Sequence, residues 1–256
     1  MRLTGRSTCT LVACGLLAAA APAAAQRAPA PAALHLDPEV IALACAPTLV
    51  YERPLASLQV TGGQDSFVRR SYAPGALLTI NAGTDNGIDV GQEYYLRRVL
   101  PDARHPPSRK RPAVDRTTGW LRVYAVDKTM SLATITHACD AVDVGDYLTP
   151  FVLPVVPTPD AAAPRPQKQN YGRILIGADR RRAFGNGDFF IVDRGSDHGV
   201  TPGSRFVVYR DKLTAKNFLF ELGEAVAVDV RPESSTLKAT LSRDAFLEGD
   251  YVALRK

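Results

Sequence analysis

Residues 77–91 read LLTINAGTDNGIDVG, and residues 189–203 read FFIVDRGSDHGVTPG. At a constant offset of 112, three glycines and one aspartate of the two stretches coincide. Further along, the Gly-Asp-Tyr sequence Gly145–Tyr147 recurs as Gly249–Tyr251 at an offset of 104. A recurrence that continues over about 80 to 95 residues indicates an internal duplication.

Each copy has the residue pattern of β-strands. Residues 237–242 alternate apolar and polar side chains, and residues 205–209 form an aliphatic and aromatic run directly after a glycine turn. Five or six such runs in each copy predict a small β-barrel. We therefore expect a mainly β chain with two tandem barrels, copy one over residues 58–151 and copy two over residues 171–256.

The residues outside the two copies have other compositions. Residues 152–170 are rich in proline and alanine, which predicts an extended, semi-rigid linker. In the N-terminal segment 27–57, a short helix is predicted from Asp37 to Cys45, with Asp37 as its cap and Pro38 at its first position.

The first 26 residues have the pattern of a secretory signal peptide. Two arginines precede the apolar stretch 11–21, and the alanines at 23–25 offer a cleavage site. This predicts an exported protein, periplasmic or secreted, with no transmembrane segment. Residues 11–14 resemble a lipobox, but lipid anchoring at Cys14 is disfavoured because polar residues separate it from Arg6.

Export changes the interpretation of the cysteines. Removal of the signal leaves Cys45 and Cys139, an even pair that would meet an oxidising compartment. A disulfide between them is the leading expectation, and two buried free thiols are the alternative. A catalytic or metal-binding role is disfavoured, because the sequence around His137 and Cys139 lacks a CxxC pair and zinc-ligand spacing.

The glycine motif invites comparison with a phosphate loop or a calcium site. A phosphate loop needs Gly-Lys-Ser/Thr before a helix, and a calcium loop needs several acidic ligands, whereas each motif here runs from strand to strand. Turn chemistry explains it better, with Asx-turns at the aspartates and positive φ at Gly87 and Gly199. The residues assigned to turns are Gly83, Asp85, Gly87, Gly91, Gly195, Asp197, Gly199 and Gly203.

The order of these features resembles a known module. The pattern is similar to the C-terminal β-barrel of flagellar assembly protein T. It consists, in order, of an apolar strand, Gly-x-x-x-Gly-Val/Ile-x-x-Gly, an aromatic and aliphatic strand, Gly-x-x-Val and a final Gly-Asp-Tyr-Val. Similar modules follow LysM domains in bacterial envelope proteins. The resemblance covers about two thirds of the predicted mature chain, copy two more fully than copy one. It implies a non-enzymatic envelope module without catalytic residues or a cofactor.

Charge is concentrated in one stretch of copy one. The formal net charge of the whole chain is +5, and the stretch 97–116 holds seven basic residues against two aspartates. Four prolines in it favour an extended loop. A solvated loop and a binding arm for an anionic envelope polymer both remain open. The basic residues are Arg97, Arg98, Arg104, Arg109, Lys110, Arg111 and Arg116.

Other classes of function find less support. The chain lacks a Gly-x-Ser-x-Gly elbow and a His-Glu-x-x-His motif, so neither an enzyme nor a metal centre is expected. Nucleic acid is not expected as a partner, since Trp120 is the only tryptophan and no aromatic ladder occurs. The leading expectation is an envelope scaffold or interaction protein with a protein partner. The alternative is a binding module for peptidoglycan or another anionic polymer through the basic loop 97–116, and an uncharted hydrolase is the third class.

Overall fold

We describe a computed structural model of the 256-residue chain. It describes residues 36–52, 54–55, 58–64, 69–100, 112–161, 166–177, 181–211 and 218–255. The expected signal peptide and Cys14 lie outside these ranges. Within them, no helix has the length and apolarity that a membrane crossing requires.

Helix α1 spans Pro38–Ala44. The Asp37 carboxylate caps it by accepting a 2.7 Å hydrogen bond from the Glu39 amide, and Pro38 occupies the first turn, where a missing N–H costs nothing. Cys45 follows as the C-cap, within the range that the sequence predicted for the helix.

The first half of the chain forms an antiparallel seven-stranded sheet, which we call the N-terminal sheet. Its strand order is β2-β4-β7-β6-β5-β9, with β1 added to β6, and a bridge between Gln59 and Tyr147 joins the two ends of this path. Its strands are β1 (Thr48–Val50), β2 (Val60–Gly63), β4 (Leu77–Ile80), β5 (Glu93–Val99), β6 (Ala113–Val126), β7 (Ser131–Ala138) and β9 (Tyr147–Pro150). A separate pair is formed by β3 (Ser71–Tyr72) and β8 (Val142–Asp143).

The second half forms a closed six-stranded barrel, the C-terminal barrel, in the order β10-β12-β15-β14-β13-β17. Its strands are β10 (Pro166–Gly177), β12 (Phe189–Val192), β13 (Arg205–Asp211), β14 (Leu219–Val230), β15 (Ser235–Ser242) and β17 (Tyr251–Arg255). A separate pair is formed by β11 (Ala183–Phe184) and β16 (Phe246–Leu247). The expectation of a mainly β chain with a barrel is confirmed.

Both interiors are filled by side chains. Leu78, Leu121 and Ile135 are buried inside the N-terminal sheet, and Phe190 and Phe206 inside the C-terminal barrel. Along β7, buried residues alternate with accessible ones, so one face of the strand points to the core and the other points outward. A binding surface on the strands must therefore be built from their outward positions.

The glycine motif forms the same turn in both halves. Gly83 precedes the 3₁₀ turn Thr84–Asn86, and Gly195 precedes the 3₁₀ turn Ser196–His198. The following glycines, Gly87 and Gly199, have φ of 75° and 77°, the left-handed region in which glycine carries no steric penalty.

The expected Asx-turns need correction. Among the described residues, neither Asp85 nor Asp197 accepts a hydrogen bond through its side chain. Asn86 and His198 instead accept the N–H of Gly83 and Gly195, each at 3.3 Å. Asn86 and His198 are the third residues of their turns, the position from which a side chain reaches back to the N–H of the residue before the turn.

Gly83 and Gly195 are needed for close backbone approach. A Cβ atom at Gly195 would collide with the carbonyl oxygen of Arg231, and one at Gly83 would collide with that of Asp127. These carbonyls belong to the hairpin on which each turn docks: the amide of Ser196, for example, donates to the same Arg231 oxygen at 2.9 Å.

We expect Gly195→Ala to lower the free energy of unfolding by about 1–3 kcal/mol or more, because the backbone of two elements must separate. Urea unfolding of the variant and the wild type measures this loss of free energy. Gly185→Ala is the matched control, since its Cβ would meet no backbone atom and would lie 3.3 Å from the Oγ and 3.7 Å from the Cβ of Ser242. Equal losses in the two variants would contradict the close-packing argument.

The boundary of the linker is different from the one expected. Residues 166–170, predicted as linker, belong to β10, where Pro166 pairs with Arg255 of β17. Residues 151–161 have no regular structure. Asp160 among them is nevertheless bound to the barrel: its amide donates to the Gly203 carbonyl at 2.9 Å, and its carbonyl accepts from the Arg205 side chain at 2.6 Å. Asp160 therefore holds this end of the segment 151–161 against the C-terminal barrel.

Candidate functional site

The basic residues assigned to one loop do not share one environment. Arg97 and Arg98 lie in β5 and Arg116 lies in β6, so the loop expected over 97–116 is shorter at both ends. Arg104, Arg109, Lys110 and Arg111 lie outside the described residues, and their polymer-binding role stays a prediction.

The three strand arginines are matched by acidic partners, which corrects the expectation of unmatched charge. Asp146 and Asp140 come from outside the stretch 97–116, whereas Asp115, the partner of Arg97, lies within it. Their ion pairs are Arg97–Asp115 at 2.9 Å, Arg98–Asp146 at 2.6 Å and Arg116–Asp140.

One of these pairs occurs twice in the chain. Arg98 donates through Nε and a terminal nitrogen to the two oxygens of Asp146, and Arg210 does the same to Asp250. Both aspartates are buried, with side-chain exposures of 2% and 5%. Sequence reasoning missed this pair, although both residues recur at the offsets of the repeat, 112 for the arginine and 104 for the aspartate.

The Asp115 carboxylate holds a second polar network. Its Oδ2 accepts from Arg97 at 2.9 Å and from the Tyr147 hydroxyl at 2.7 Å, and Arg97 also donates to Thr48 at 3.1 Å. Burial, together with the negative charge of Asp115, raises the pKa of Tyr147 well above its usual range. Tyr147 is therefore a neutral donor, and this network ties β1 to the sheet.

The predicted disulfide is present. Cys45 and Cys139 are bonded, with their Cα atoms 5.7 Å apart. The bond ties the end of α1 to the end of β7, beside an aromatic cluster in which the ring of Trp120 stacks on that of His137 at 4.2 Å. Burial lowers the pKa of His137, which favours its neutral form.

The outward face of the C-terminal barrel formed by β14 and β15 is covered by the chain itself. Thr236 is 2% exposed, and its hydroxyl donates to the Pro47 carbonyl at 2.7 Å. Lys238 forms a 2.8 Å ion pair with Glu39 of α1. The covering segment is thus α1 with the residues directly after it.

The linker contributes to the same cover. A cavity of about 470 Å³ remains between this face, α1 and the linker. Its lining includes Glu39 and Leu43 of α1, Val156, Pro157 and Pro159 of the linker, and Val226, Val228 and Lys238 of the barrel.

The corresponding face of the N-terminal sheet is open among the described residues. Leu132, which corresponds to the buried Thr236, is 41% exposed, and Tyr124, which corresponds to Val228, is 68% exposed. Met130 adds an exposed side chain at the hairpin. Leu132 pairs with Ala125, the residue after Tyr124, and Met130 lies in the connection between β6 and β7, so all three residues belong to one hairpin. We call Tyr124, Met130 and Leu132 the β6–β7 face, and it is the candidate functional site.

The β6–β7 face is suited to binding and not to acid–base chemistry. It combines aromatic, thioether and aliphatic surface with one ion pair at its edge, Arg122–Glu93 at 2.8 Å. Exposed apolar groups that lie together are typical of an interaction surface. Its residues lack the nucleophile and base that catalysis by side chains requires. The sequence contained the alternation that places these residues outward, but not the information that they are uncovered.

The two described histidines, His137 and His198, lie in different halves of the chain and have different partners. A cavity of about 700 Å³ beside β3 and β8 is lined mainly by small and apolar side chains, with Asp140 as its carboxylate. His198 caps its own turn, and His137 stacks on Trp120. His35 and His105 lie outside the described residues.

No protein-family model matches the chain, and a search of curated proteins finds no significant match.

Proposed function

We propose that the chain is a non-enzymatic, exported cell-envelope interaction protein that binds a protein partner through the β6–β7 face. It is built as two tandem copies of one small barrel, joined by a proline-rich segment. The observation that carries the proposal is the contrast between two corresponding faces: the one on the C-terminal barrel is covered by a segment of the chain, and the one on the N-terminal sheet is exposed.

Three likenesses between the halves support a tandem duplication. The strand path β2-β4-β7-β6-β5-β9 corresponds step for step to β10-β12-β15-β14-β13-β17. The glycine turn has the same geometry in each half. The bidentate Arg–Asp pair also occurs at corresponding positions of the two halves, which is not expected of two unrelated sheets.

The signal-peptide pattern and the disulfide together support export. A disulfide is typical of proteins that fold in an oxidising compartment such as the periplasm. The resemblance to envelope modules agrees with this location.

The cover of the C-terminal barrel indicates the chemistry of the partner. It consists of a short helix and a proline after it, with one acidic side chain that reaches a lysine. A partner for the β6–β7 face would offer a similar apolar segment, and an acidic group on it would meet Arg122 at the edge of the face.

Site-specific photo-crosslinking in envelope extract tests the proposal. A photoreactive residue at Leu132 should give a discrete adduct, and Tyr124→Ser together with Met130→Ser should reduce that adduct at least about tenfold, because the apolar contact area is lost. The melting temperature should stay nearly unchanged, since both side chains are exposed.

Leu241 provides the matched control position. It is 42% exposed on β15 of the C-terminal barrel, outside the covered patch, and should give no comparable adduct. An adduct that persists in the double variant would contradict the proposal. Retention on purified peptidoglycan that is lost at high salt would instead favour the basic-loop alternative.

A further inference from the structure

We propose that Cys45, His137 and Cys139 bind one zinc ion when the Cys45–Cys139 disulfide is reduced. A sulfur atom from each cysteine and a ring nitrogen of the histidine all lie within 4.8 Å of one another. In a tetrahedral zinc site with Zn–S of about 2.3 Å and Zn–N of about 2.0 Å, such atoms are separated by roughly 3.5 to 3.8 Å. The three ligands therefore need only small movements once the sulfurs are no longer bonded.

Contacts besides the disulfide also keep these ligands near one another: β1, which begins three residues after Cys45, pairs with β6 of the N-terminal sheet. Cys45 ends α1, its amide donating to the Ile41 carbonyl at 3.0 Å, and Cys139 follows β7, its amide donating to the Thr118 carbonyl at 2.9 Å. His137 lies in β7, and its ring is oriented by Trp120.

The imidazole of His137 is available as a ligand. Within the described chain, no hydrogen bond engages its ring. A soft donor set of two thiolates and one imidazole suits zinc, and it would leave the fourth position to a water molecule.

The site is accessible. Both cysteines line a cavity of about 320 Å³ between the N-terminal sheet and the C-terminal barrel, together with Arg116, Asp140 and Asp188. A small dithiol and a hydrated metal ion can both enter a cavity of this size.

The chemistry occurs in two balanced steps. A dithiol reductant attacks the disulfide through a thiolate, the S–S bond breaks, and two electrons and two protons pass to the protein as the reductant forms its own disulfide. Zinc then binds the two thiols with release of their two protons. Zinc and the disulfide are thus alternative states of the same two cysteines, and this inference is independent of the proposed function.

Zinc titration of the full chain against a chromophoric chelator, with and without a dithiol, tests the site. The reduced protein should bind one zinc ion per chain at least about a hundredfold more tightly than the oxidised protein, because only the thiolate form offers sulfur ligands. Cobalt(II) should give a thiolate charge-transfer band with the reduced protein alone. Zinc should also raise the melting temperature of the reduced protein and leave that of the oxidised protein unchanged.

The variants separate this site from nonspecific thiol binding. His137→Gln should weaken zinc binding by roughly tenfold or more, since loss of even an outer partner of a ligand costs about 10- to 100-fold. His137→Cys should restore it, and His198→Gln, in the turn of the C-terminal barrel, should have no effect. Equal zinc affinity of the reduced wild type and His137→Gln, whether or not the reduced chain stays folded, would overturn the proposal.

Discussion

We expect replacement of both Cys45 and Cys139 by serine to lower the free energy of unfolding by about 4–5 kcal/mol. The disulfide closes a loop with a sequence separation of 94, and the chain-entropy account gives about this value for a loop of that length. The loss should be visible in urea unfolding at neutral pH, without reductant.

The single variants provide the control for this prediction. Cys45→Ser and Cys139→Ser should each cost about as much as the double variant, because either one removes the same bond. Single losses that add up to the double loss would show that local packing of the two side chains, and not the bond, is responsible. A double variant within about 1 kcal/mol of wild type would contradict the prediction itself.

The buried carboxylates of the repeated ion pair should have the next largest effect. Asp146 accepts from two nitrogens of Arg98, from the Thr118 hydroxyl at 2.8 Å and from the Asp143 amide at 3.0 Å. Asp146→Ala leaves these donors without their acceptor, and we expect a loss of about 3–5 kcal/mol. Asp250→Ala should cost nearly as much, since it accepts from Arg210 and from the Leu247 amide.

An exposed pair of the same residue types is the control. Asp229 and Arg231 form an ion pair with side-chain exposures of 42% and 44%, so Asp229→Ala should cost at most about 1 kcal/mol. Urea is preferred to guanidinium here, because a salt would screen the charges being compared. A cost for Asp146→Ala no greater than that for Asp229→Ala would show that burial does not strengthen this pair.

Local residue chemistry made part of the fold predictable. Gly87 and Gly199 stand where a strand must turn with positive φ, and few other residues accept that backbone. The disulfide was likewise predictable, because an even pair of cysteines in a chain with a signal-peptide pattern leaves few alternatives.

Long-range pairing explains what sequence reasoning missed. The residues around Pro166 have the composition of a linker. Pro166 is nevertheless part of a strand, because it pairs with Arg255. In the sequence, Arg98 is one charge of a basic stretch. In the structure, β5 places it beside Asp146.

The candidate site depends on the same kind of information. Leu132 and Thr236 occupy corresponding outward positions of their strands, and neither residue type reveals which is covered. That difference follows from where α1 and Pro47 lie, which no local pattern encodes. By contrast, the recurrence of the Arg–Asp pair at the repeat offsets was a usable signal.

The position of α1 restricts rotation of one half of the protein against the other. The linker alone would be a single tether, about which the C-terminal barrel could swivel. Helix α1 acts as a second tether, because it is bonded through Cys45 to the N-terminal sheet and contacts the C-terminal barrel through Glu39. Two bodies joined at two separated points keep at most one axis of rotation, so the two tethers together restrict the directions in which the β6–β7 face can point relative to the C-terminal barrel.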